Sequence, residues 1–172
     1  MSLQQFFQHA VRGSLGDLAR RDDPAADYLA GLLTRFARME NLHPRGFRVP
    51  RLESIGEALL EIQVIWDDES THFHPEHEVE LRHHIADYTL FMTGIFQERV
   101  EKVASVRYYV AEGKRAYRFV AEHRRAWLGE PRALLFRRLS DQFEAYVGVL
   151  EYAHKVYFRA RLDLPFFRLA FG

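Results

Sequence analysis

With 48% apolar and 14% aromatic residues across 172 positions, the chain has enough surface to bury for one core, which excludes a disordered or purely polar chain. No cysteine occurs, and this removes disulfides, thiolate nucleophiles and cysteine-bound zinc or iron–sulfur centres. Lys plus Arg and Asp plus Glu balance at 24 each, and without a basic excess nucleic acid is a poor choice of partner.

Helical periodicity runs through nearly the whole chain. "SLQQFFQHAVRG" opens with Ser2 in a capping position and stops at Gly13. A second helix has Asp23 as N-cap and Pro24 at its first position, with Tyr28, Leu32, Phe36 and Met39 recurring on one face. Pro44, Gly46 and Pro50 mark a loop before a third helix at about 54–66. The fourth starts near Pro75 and carries a stripe of Leu81, Ile85, Tyr88, Met92 and Ile95. The fifth, about 100–127, sets Val106, Tyr109, Gly113, Tyr117 and Val120 on one side. The sixth begins at Pro131 and continues through Leu139, Phe143, Tyr146, Leu150, Ala153 and Tyr157 as one helix of about 30 residues. Strand alternation is absent, so the expected fold is all-α: an antiparallel bundle of about five to seven helices in a single domain, 1–172. No window reaches the run of about 18 apolar residues that a membrane span needs, and the start lacks a basic segment followed by an apolar one. A soluble cytoplasmic protein with no membrane partner is the expectation.

The neutral total hides blocks of opposite sign. Residues 53–98 hold eleven acids against one base, Arg82, whereas residues 99–138 hold eleven bases against four acids. Such blocks suit helices whose charged faces attract one another, within one subunit or between two. The basic strip "GKRAYRFVAEHRRAW" could alternatively hold an anion.

Five of the nine histidines fall between His72 and His84, among acidic residues. At about 100° per residue, His77, Glu80, His84 and Asp87 form one row at the edge of the core stripe, while His83 points to solvent. Imidazole and carboxylate in one row could enter a bundle seam and ligate a divalent metal. Four Glu-x-x-His pairs compete with this row, the helical ones being Glu80 with His83 and Glu151 with His154. Paired motifs of that kind hold di-iron centres in helical bundles, which adds His154 to the candidate ligands. Acidic neighbours also favour imidazolium, so the cluster is expected to be better ordered below about pH 6.5 than above it. No Ser lies in a G-x-S-x-G elbow, and Lys114 lies mid-helix without a phosphate-binding loop around it. Gly113, on the core stripe, fits close approach of a neighbouring helix. The tail "LDLPFFRLAFG" is apolar enough to fold back over its own bundle or to clasp a second subunit.

Within residues 83–117, "HHIADYTLFMTGIFQERV" followed by "YYVAEGKRAY" resembles a group of uncharacterised bacterial helical proteins of similar size. Their pattern is a His, a hydrophobic–Gly–Asp–aromatic–Thr–Leu–Phe run, a Thr–Gly and an acidic residue, with Tyr–Tyr and Gly–Lys downstream. Ala86 stands here for the usual Gly, and Gln97 for a common Pro. The resemblance covers about a fifth of the chain. It implies a bacterial, cytoplasmic, all-helical protein and singles out His84, Asp87, Gly94, Glu98, Tyr108, Tyr109, Gly113, Lys114 and Tyr117, without supplying an activity. Together these readings lead to a non-catalytic binding or interaction module that forms a homo-oligomer, a dimer in the simplest case. The alternative is a metal-dependent oxidoreductase or hydrolase, using non-haem iron, manganese or zinc at His77, Glu80, His84, Asp87 and His154.

Overall fold

The computed structural model describes residues 1–41, 75–127 and 130–161. The predicted third helix, the loop around Pro44, Gly46 and Pro50, and the apolar tail at 162–172 lie outside the described residues, as do His72 and His74. The fold is all-α: seven α-helices and a short 3-10 turn, with no strand among the described residues. They are α1 (Leu3–Asp17), α2 (Asp23–Asn41), α3 (Pro75–Ile95), α4 (Gln97–Val103), α5 (Val106–Trp127), α6 (Glu130–Asp141) and α7 (Phe143–Val156), followed by the 3-10 turn Phe158–Arg161.

Local chemistry accounts for the boundaries. Ser2 and Gln5 close a capping box, each side chain reaching the other's backbone N–H. Gly13 does not end α1, which runs four residues further. Its end is a Schellman turn in which Arg20 N–H reaches the Leu15 carbonyl and Ala19 N–H that of Gly16, with Ala19 at φ 56°. The cap of α2 lies one residue earlier than expected: the Asp22 carboxylate accepts from Ala25 N–H at 3.2 Å. The predicted fifth helix is two, α4 and α5, because Ser105 caps a new start by accepting from Tyr108 N–H. The predicted sixth is also two, interrupted at Gln142.

Backbone proximity divides the chain into two compact units. The first takes in α1, α2, the end of α3 from Phe91 and α7 from Glu144. Its core is built around Phe7, Leu29, Leu33, Phe91, Leu150 and Phe158, with Phe36 stacked on Phe91 at 4.4 Å between ring centres. Asp17 accepts from Tyr152 at 2.9 Å and from Tyr157 at 3.0 Å, and Asp22 accepts from Tyr146, so the start of the chain is tied to α7 and the turn after it. The second unit takes in α3 up to Leu90, α4, α5, α6 and Phe143. Here α3 and α5 run antiparallel, as the pairing of Asp87 with Tyr117 and of Thr89 with Gly113 requires. A Cβ on Gly113 would fall 2.5 Å from the Phe143 ring and closer still to the Thr89 hydroxyl, which bears out the close approach expected of this glycine. Ser140 Oγ donates to the Lys114 carbonyl at 2.8 Å and Tyr117 stacks on Phe136, which sets α6 antiparallel to α5.

From Ile85 to Phe96 every residue is buried. This part of α3 has no solvent side, so it is not the one-sided helix that its stripe suggested. The buried Thr89 hydroxyl is met locally, donating to the Ala86 carbonyl at 2.9 Å.

Candidate functional site

Asp87 is the one carboxylate in the buried stretch of α3, and it is 6% exposed. A carboxylate taken out of water needs donors around it. Tyr117, fully buried on α5, donates to Asp87 Oδ1 at 2.8 Å, and His83 Nε2 lies 3.4 Å from Oδ2. His83 is half-buried against the edge of Phe136 on α6, with ring centres 5.1 Å apart. Carboxylate, phenol and imidazole are thus brought together from two helices and walled by a third.

This arrangement corrects the helix projection at His83, which turns inward to Asp87 and Phe136, while His84 is exposed and stacks on Tyr88. Glu80 is exposed and Asp87 buried although both lie on one helix face, because that face passes from solvent into the core along the axis. The side chain of His77 lies outside the described residues. His154 belongs to the first unit, in the last turn of α7, and Glu80, His84 and Asp87 to the second. Among the described residues no three His, Asp or Glu side chains come together as a metal would need. Glu98 is exposed in the first turn of α4, Lys114 is half-buried, and Tyr109 is buried and takes a hydrogen bond from Tyr88. Burial pushes the Tyr109 phenol up, against the lowering effect of that bond. Glu78, also buried, is held by Arg82 at 2.9 Å, and the Arg82 guanidinium covers the Phe119 ring.

A second feature lies in the first unit, on the helix where sequence reasoning named only the Glu151–His154 metal pair. An open groove of about 410 Å³ is lined by Leu18, Arg20, Ala145, Gly148, Glu151, Tyr152 and Lys155. Ala145 and Gly148 leave one face of α7 low, and a Cβ added to Gly148 would meet nothing within 4 Å. Leu18, 38% exposed, forms the opposite wall. The signal was present in the sequence as small residues three apart on the long C-terminal helix, but small residues on a helix more often mark a packed contact, as Gly113 does.

No family model matches the chain, and neither a curated protein nor a solved structure matches it. Among the described residues no helix is long and apolar enough to cross a membrane.

Proposed function

We propose that the protein is a non-catalytic interaction module that associates with a second copy of itself. The groove beside α7 carries this reading: it is open, floored by Ala145 and Gly148, and bordered by an exposed leucine and charges of both signs. A cleft with apolar floor and polar rim is the form that protein contacts take. The polar cluster at Asp87 serves a different end in this reading. Its groups satisfy one another inside the helix contact and hold α3 against α5, a structural role for Asp87 and Tyr117.

The resemblance of residues 83–117 to bacterial helical proteins, and a cysteine-free composition suited to a reducing compartment, support a cytoplasmic bacterial setting. The test is light scattering after gel filtration for the natural chain and for Leu18→Glu, with metal content measured on the same fractions. A dimer weakened by Leu18→Glu, without stoichiometric metal, is expected. A monomer carrying one equivalent of iron, zinc or manganese that is lost in His84→Ala would overturn the reading in favour of a metalloenzyme.

A further inference from the structure

On α7, Glu144, Gly148, Glu151 and Lys155 are spaced i, i+4, i+7 and i+11, which places them within about 60° of one another on one face. Glu144 and Lys155 are exposed, and Gly148 and Glu151 are half-buried at the groove. The stripe therefore has an acid, Glu144, at its N-terminal end and a base, Lys155, at its C-terminal end, with Gly148 and the Lys155-paired Glu151 between them. Lys155 holds Glu151 at 2.7 Å while remaining 65% exposed, so its ammonium has room for a further acceptor.

We infer that two copies of the chain dock through this face with their α7 helices antiparallel about a two-fold axis passing between Val149 and Leu150. The inference rests on the self-association reading above and names its surface and orientation. A two-fold contact must be self-complementary. With the axis at that point, Glu144 of each copy lies opposite Lys155 of the other, and Gly148 lies opposite Glu151. A parallel arrangement would set Glu144 against Glu144 and Lys155 against Lys155, so charge selects the antiparallel one. The space above Gly148 lets the helix axes come close, and Leu18, 38% exposed at the groove, supplies apolar surface beside them.

Charge exchange tests the orientation. In sedimentation experiments on the full chain, Glu144→Lys and Lys155→Glu should each weaken self-association by about tenfold or more, and the double variant should recover most of the loss. Thermal melts of the four proteins establish that the fold is kept. Gly148→Cys provides an independent readout, because the chain has no cysteine of its own. In a glutathione buffer poised oxidising, it should give a disulfide-linked dimer, and the same treatment of the Glu144→Lys background should give far less. Self-association unchanged by either reversal would overturn the α7 interface while leaving the interaction-module reading in place. A natural chain that stays monomeric at every concentration would overturn both.

Discussion

Tyr117 and Asp87 meet from positions thirty residues apart in the chain, and both are buried. Removing the phenol hydroxyl leaves Asp87 Oδ1 without its 2.8 Å donor in a place where water does not replace it. Tyr117→Phe should therefore cost about 1–3 kcal/mol, read as a lower urea midpoint with an unchanged slope. A midpoint equal to that of the natural chain would show that the contact is not a stabilising one. Asp17 acts on two tyrosines at the surface. Its hydrogen bond is the main cause raising Tyr152 above 10.0, whereas burial comes first for Tyr157 and the Asp17 hydrogen bond second. A phenol whose folded value is raised keeps its proton longer when folded. Its contribution to stability is complete below pH 10 and is lost as pH rises through the folded value. In an ultraviolet phenolate titration Asp17→Asn should shift part of the curve towards lower pH; coincident curves would remove Asp17 from this role. His83 shows how a residue can be misplaced from sequence. Its side chain was set towards solvent by an angle measured from Leu81, but the contact that holds it is with Phe136, more than fifty positions away.

Helix ends and glycines provide tests at the scale of the element. Ala19 takes the left-handed position of the α1 Schellman turn, where a Cβ is unfavourable, so Ala19→Gly should raise Tm by a few degrees. The two glycines of opposite surroundings should respond in opposite senses. Gly31, inside α2, has nothing within 4 Å of an added Cβ, and Gly31→Ala should stabilise by about 0.5–1 kcal/mol. Gly113→Ala should destabilise by about 1–3 kcal/mol, because the Phe143 ring and Thr89 must move aside. Differential scanning calorimetry of the pair reads both signs at once, and a shared sign would contradict the packing described at Gly113. Much at this scale was legible in the sequence: the cap at Ser2, the start at Pro75, and Tyr109, Gly113 and Tyr117 on a buried face. The breaks at Ser105 and Gln142 were not. Neither has a Gly or Pro beside it, and at Gln142 the N–H still reaches the Arg138 carbonyl at 2.8 Å, so a helical hydrogen bond spans the break.

Across the whole molecule, composition and periodicity were sufficient for an all-α fold, since apolar residues at helical spacing have no other way to be buried together. They were not sufficient for the candidate site. The metal row was drawn on one helix treated as one-sided, whereas the stretch from Ile85 to Phe96, with Asp87 its only charge, has no solvent side. The groove depends on Leu18 and Arg20 standing beside α7, a proximity of residues more than 120 positions apart that no local pattern encodes. Self-association is the claim on which the functional account depends. Sedimentation equilibrium of the untagged natural chain over a wide concentration range tests it most directly. The account predicts a mass rising from 20.3 kDa towards twice that value as concentration increases. A mass of 20.3 kDa at every concentration would contradict it.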